Sequence, residues 1–144
     1  MSTTKWDKRF LELAKLVGSW SKDPSTQVGA VIVDENNRIV SVGYNGFPRG
    51  IEDNERLLNR EEKYDIIVHA EVNALMFANK PVEKCTLYTW PFQPCSRCAG
   101  LIIQSGIKRV VSVVHSDERW KKNFTLARQL FHESGVTMDL INYE

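Results

Sequence analysis

Residues 85–114, CTLYTWPFQPCSRCAGLIIQSGIKRVVSVV, decide the fold. Cys85 to Trp90 reads as a strand, Cys95 to Ser105 as a helix and Ile107 to Val114 as a second strand. A strand, a helix and a strand in so short a stretch predict parallel pairing through a right-handed crossover. Downstream, Trp120 to Ser134 reads as a helix that Gly135 closes in the usual C-terminal position, and Val136 to Leu140 as a short last strand. Upstream, the pattern is helical from His69 to Asn79 and Pro81 ends it. Further back, Gln27 to Asp34 and Arg38 to Tyr44 are strand-like runs around the turn Glu35-Asn36-Asn37, which reads as a hairpin. Phe10, Leu13, Ala14, Val17 and Trp20 recur at helical spacing and define an N-terminal helix, ended by Ser21-Lys22-Asp23-Pro24. Asn45 to Gly50 is a turn-rich loop, and the charged stretch that follows to Lys63 has room for a short helix. The expectation is an α/β fold: a mixed five-stranded sheet with an N-terminal hairpin, a parallel C-terminal half and helices on both faces.

The chain has 144 residues, one domain (1–144) by the usual size prior, with no repeat or linker dividing it. Charged residues at 26% and apolar ones at 42% exclude disordered and fibrous classes. Lys and Arg number 19 against 18 Asp and Glu, and a net charge of +1 offers no general attraction to a phosphate backbone. The longest apolar stretch, Val28 to Val33, is far short of the ~18 residues that span a bilayer. Met1 to Trp6 carries no apolar run behind its lysine, so no signal peptide is read and a cytoplasmic location is expected. Three cysteines are too few and odd in number for a secreted disulfide framework, which turns the C-x-x-C of Cys95 and Cys98 into a metal or redox pair.

His69-Ala-Glu71 opens one helix and Pro94-Cys95-Ser-Arg-Cys98 opens another. One imidazole and two thiolates suit Zn²⁺, and three protein ligands leave a fourth position open to water, as catalytic zinc sites do. Helix N-termini favour thiolate forms of both cysteines. Glu71, two residues past His69, stands where a carboxylate can take a proton from that water and pass it on. Two other readings compete. Cys85 as a fourth ligand would make a closed zinc knot and leave Glu71 without a role; a redox C-x-x-C would leave both His69 and Glu71 unexplained.

H-x-E followed by P-C-x-x-C is the signature of zinc nucleobase deaminases. The resemblance extends over roughly residues 6–138: Ser21-Lys-Asp-Pro-Ser-Thr-Gln-Val-Gly-Ala-Val-Ile-Val33, Gly43-Tyr-Asn-Gly-Phe-Pro-Arg-Gly50, His69-Ala-Glu-Val-Asn-Ala-Leu75 and Gln104-Ser-Gly-Ile-Lys-Arg-Val110 resemble the deoxycytidylate (dCMP) deaminase family. That resemblance implies a three-layer α/β/α cytidine deaminase-like fold and one catalytic Zn²⁺ per chain. It implies hydrolysis of the 4-amino group of dCMP to dUMP and ammonia, in the supply of dTTP. It further implies a homo-oligomer, hexamer or dimer, and allosteric dCTP and dTTP. Some members hold a second, structural zinc before H-A-E through His and Cys; residues 51–68 contain neither. Two segments depart from the family pattern: Trp90 to Pro94 is one residue longer, and His115 to Lys122 stands where a tyrosine is usual. These departures bear on substrate identity, leaving another cytosine nucleotide (dCTP or 5-substituted dCMP) or a polynucleotide base (tRNA adenine, single-stranded DNA cytosine) as alternatives. A zinc protein without catalysis is the remaining class.

For substrate binding the candidates are Asn45, Gly46, Lys22 and Thr26. An amide in a glycine-flanked loop can read a sugar hydroxyl or base edge, or can simply tolerate a turn. Lys22 and Thr26 are either phosphate contacts or parts of a helix-ending loop. Lys80 is an effector contact or an exposed helix-end lysine. Arg119-Trp120-Lys121-Lys122 mixes basic and aromatic residues as single-strand binders do, but reads better as a solvated first turn with Trp120 inward. Cys85 reads as a small buried hydrophobe and His132 as a surface residue. His115 lies at a strand end, where α/β ligands bind.

Overall fold

A computed structural model describes residues 4–143. Helix α1 (Lys5–Gly18) begins with a capping box in which the Thr4 side chain accepts from the Asp7 N–H and Asp7 accepts from the Thr4 N–H. Strands β1 (Gly29–Val33) and β2 (Ile39–Tyr44) form the expected hairpin. Helices α2 (Arg60–Ile66) and α3 (Ala70–Phe77) follow, the first preceded by a 3₁₀ turn at Glu55–Leu58. Strand β3 (Thr86–Trp90), helix α4 (Ser96–Ser105) and strand β4 (Arg109–Val113) make the crossover unit. A 3₁₀ turn at Glu118–Trp120 leads into α5 (Lys121–Ser134), and β5 (Thr137–Ile141) completes the sheet.

The strand order is β2-β1-β3-β4-β5. β1 pairs antiparallel with both β2 and β3, whereas β3–β4 and β4–β5 are parallel, as expected. Alternation along the strands divides the core. Ala30 and Ile32 of β1, Leu87 of β3 and Val110 of β4 face Ala70 and Ala74 of α3, Ala99 and Ile102 of α4 and Phe131 of α5. Val31, Val33, Tyr88 and Val111 face Phe10, Leu11 and Ala14 of α1 on the other side. Three layers result. Among the described residues no helix is long and apolar enough to cross a membrane.

Two local features position the site. A Cβ on Gly43 of β2 would meet the Ala74 nitrogen at 2.5 Å and the Ala70 oxygen at 2.6 Å, so only glycine lets α3 lie backbone-to-backbone on β2. Gly46 then bridges to Val68, exchanging hydrogen bonds of 3.1 and 2.8 Å and fixing the chain one residue before His69.

Candidate active site

His69 and Cys95 occupy the N-cap positions of α3 and α4, with Glu71 and Cys98 in the first turns. Neither cap residue uses its side chain to satisfy the helix end, so both point elsewhere. They converge. His69 Nδ1 lies 3.2 Å from Cys98 Sγ and 3.5 Å from Cys95 Sγ, and the three donor atoms fall within 4.8 Å of one another. A tetrahedral zinc, with bonds of about 2.3 Å to sulfur and about 2.0 Å to nitrogen, holds such donors about 3.5 Å apart, so the donor set fits zinc in type and spacing. Cys85 is buried in the core beside Leu87 and belongs to no such group.

The electrostatics agree. Hydrogen bonds from Cys98 and His69, against the effect of burial, hold the Cys95 thiol down to about 4. Cys98 is pushed up by its bond to Cys95, by burial and by the charge of Glu71. A second thiolate there needs a cation among the ligands, and the donor set is shaped for one. The Cys95 contact raises the His69 imidazole, with burial opposing it. Burial pushes the Glu71 carboxyl up to about 6, moderated by His69; the residue is 4% exposed.

His69, Glu71 and Cys95 line a cavity of about 460 Å³. Its walls bring in Thr26 and Asn45, as the sequence reading expects, together with Phe92, Gln93 and Trp120 from the two segments that depart from the family pattern. Asn45 is tied inward: its Oδ1 accepts from the Val28 N–H at 2.9 Å, and its Nδ2 donates to the Thr26 carbonyl at 2.9 Å and to Asp23 at 3.4 Å. Gly46 and Lys22 are not on the wall. Lys22 points to solvent and pairs with Asp53 at 3.2 Å, and Lys80 pairs with Asp34 at 3.2 Å. His115 is exposed, with its ring 5.3 Å from that of Phe92, while His132, Lys121 and Lys122 are on the surface.

Several residues that brace the site escape sequence reasoning. Lys63 is buried, its Nζ 3.2 Å from Asp23 Oδ1 and 2.6 Å from Ser25 Oγ, which pins α2 to the loop before β1. Asn123 of α5 accepts from the Ser96 N–H at 2.9 Å and so braces the start of α4. Arg128 donates to Gln93 at 2.7 Å, and Gln93 in turn donates to the Phe124 carbonyl at 3.0 Å, fixing the approach to Cys95. Each contact joins segments roughly 30 to 40 positions apart, beyond the reach of local patterning.

Fold and site together define a zinc hydrolase with its ligands at the helix starts of an α/β/α sandwich. The family model for the cytidine and deoxycytidylate deaminase zinc-binding region matches residues 4–114, and the chain belongs to that family. An uncharacterised deaminase of the luxG 3′ region in Aliivibrio fischeri is 47% identical over 136 residues, covering 92% of this chain and 91% of that one. Human deoxycytidylate deaminase is 42% identical over 144 residues, covering 92% of this chain and 78% of the human protein. The crystal structure of dCMP deaminase from cyanophage S-TIM5, in complex with dCMP and dUMP, superposes with a TM-score of 0.80 at 25% identity. It covers 98% of this chain and 100% of that one.

Proposed function

We propose that the protein is a dCMP deaminase that hydrolyses dCMP to dUMP and ammonia, with Glu71 as the catalytic residue and His69, Cys95 and Cys98 as the zinc ligands. The observation that carries this reading is a cluster of three zinc donors, two of which line one nucleotide-sized cavity together with the buried carboxyl of Glu71. Likeness to the human and cyanophage enzymes supports the choice of substrate.

Zinc, when bound, supplies the Lewis acidity that activates water. The C4–O bond forms, the C4–N bond breaks and ammonia leaves, so protons must move from the attacking water to ring N3 and to the departing nitrogen. Glu71 is the carboxyl at hand, and its burial weakens its hold on the charged form, which suits a group that takes up and returns a proton. The apolar wall of Phe92, Trp120 and Phe124 excludes bulk water from one side of the ring. Thr26 and Asn45 also line the cavity, Asn45 holding the Thr26 carbonyl in place. Three free cysteines, two of them required as thiolates, favour a reducing compartment such as the cytoplasm. Exposed Trp20 and Tyr44, in edge-to-face contact, and exposed Met76 and Phe77 support self-association.

The test is ammonia release from dCMP, deoxycytidine, CMP, dCTP, 5-methyl-dCMP and a short oligonucleotide. The highest kcat/KM is expected for dCMP. A preference for dCTP or 5-methyl-dCMP would keep the chemistry and move the substrate, while activity confined to the oligonucleotide would overturn the reading.

A further inference from the structure

Of the three zinc donors, Cys95 owes its place to a loop. Cys98 is buried in the first turn of α4, and His69 follows directly on the Gly46–Val68 bridge. Cys95 stands at the N-cap of α4, after the irregular run 91–94, and its side chain makes no capping bond. A donor placed in this way moves with whatever holds its neighbours.

Helix α5 holds the neighbours on both sides. Before the cysteine, Gln93 is 3% exposed and both ends of its amide are engaged. Its Oε1 accepts from Arg128 Nη1 at 2.7 Å, and its Nε2 donates to the Phe124 carbonyl at 3.0 Å and the Pro94 carbonyl at 3.3 Å. After the cysteine, Asn123 Oδ1 accepts from the Ser96 N–H at 2.9 Å, and Asn123 Nδ2 donates to the Ser96 hydroxyl at 3.0 Å. The Ser96 N–H is one of the helix-start donors that α4 cannot satisfy from its own backbone, so Asn123 caps α4 from another helix.

Neither Asn123 nor Arg128 lines the active-site cavity. Arg128 is exposed, with Nη2 donating to the Thr125 hydroxyl at 3.2 Å, yet its other terminal nitrogen reaches a buried amide. A charged donor makes a strong bond there, and a buried oxygen stripped of it would be costly. Phe124 both lines the cavity and gives its carbonyl to Gln93, so one helix carries part of the wall and the support of the metal donor.

We infer that Arg128 and Asn123 are positioning residues for the zinc site: from outside the cavity they hold the chain on either side of Cys95 and set how tightly the metal is bound. This rests on the zinc ligand set proposed above. An ordinary surface arginine contributes little to a site it does not touch, whereas this one acts on the ligand through Gln93.

The experiment measures zinc affinity by competition with a chromogenic chelator, on folded protein well below its melting temperature. Arg128→Met and Asn123→Leu should each bind zinc about tenfold more weakly than the wild type, the lower end of what losing a ligand's support costs. Lysine keeps a cationic donor and aspartate keeps the acceptor for the Ser96 N–H, so Arg128→Lys and Asn123→Asp should recover part of the loss. Leu11→Ala opens the core on the opposite face of the sheet and serves as the control for general destabilisation. It should lower the melting temperature yet leave zinc affinity within twofold of the wild type. Cobalt(II) bound in place of zinc reports ligand geometry through its visible absorption, which should shift in Arg128→Met and stay unchanged in Leu11→Ala. Zinc affinity within twofold of wild type in either Arg128→Met or Asn123→Leu would overturn the inference, and so would a loss that Leu11→Ala matches. If one of the two variants fails to fold, the other decides. A wild type that binds no zinc would refute the ligand set itself, and the inference with it.

Discussion

Replacing Lys63 by Met removes a charge from inside the protein while keeping the side chain's volume. Lys63 and Asp23 are 8% and 3% exposed at their side chains, so neither is relieved by water. Losing one partner of such a buried pair typically destabilises by about 3–5 kcal/mol, because the remaining charge is left uncompensated. Asp23 is better supported than most. Its Oδ1 also accepts from the Ser25 N–H at 2.9 Å, the Ser25 hydroxyl at 3.0 Å and the Thr26 N–H at 3.3 Å, and its Oδ2 accepts from Asn45. Those bonds place the expected loss at the lower end, about 3 kcal/mol. In a chain of 144 residues that lowers the melting temperature by roughly 6–12 °C.

The pH dependence is a second signature. Burial raises the Asp23 carboxyl, but the hydrogen bonds from Ser25, Lys63 and Thr26 outweigh it and hold it below its ordinary value of 3.8. A carboxyl lowered on folding stabilises above its unfolded value, and that stability is lost as pH falls through the folded one. Lys63→Met raises the folded value, so the gap between wild type and variant should be widest at neutral pH and narrow below about pH 4. Adding Asp23→Asn to Lys63→Met should recover more than half of the loss, since removing both charges is far milder than stranding one. Calorimetric melts from pH 3 to 8 measure all of this. Equal melting temperatures for wild type and Lys63→Met, or a gap that ignores pH, would refute the reasoning.

Glu71→Gln should keep its fold and its zinc by elemental analysis, yet lose on the order of 10²–10⁴ in turnover; near-normal turnover would assign proton transfer to another group. Cys98→Ala removes one of three zinc donors and should retain well under half an equivalent of metal; a full equivalent would sink the ligand assignment. Gly43→Ala forces a methyl into the backbone of α3 and should lower stability by about 1–3 kcal/mol, checked by denaturant titration, with zinc content falling as His69 shifts. A fully stable, zinc-replete variant would show that α3 can move aside.

How far the sequence is legible follows from the range of the forces involved. The apolar runs at 29–33, 86–90 and 109–113 and the caps around them are local signals, and each element lies within two residues of its expected place. His69, Glu71, Cys95 and Cys98 are legible for a related reason: their residue types are rare and their spacing is set by single helix turns. Lys22 shows where local reading stops. Ser21 and Asp23 are buried and Lys22 between them is exposed, so side-chain direction alone turns its charge away from the cavity. The lining residues of α2 are hidden by their own mixture. Arg60, Lys63, Tyr64 and Ile67 fall at i, i+3, i+4 and i+7, one face of a helix, and all four line the cavity. A stripe of two cations, a phenol and one aliphatic residue carries no hydrophobic periodicity, because it faces a polar ligand site instead of a core. Searching charged stretches for helical spacing without requiring apolarity would have found it.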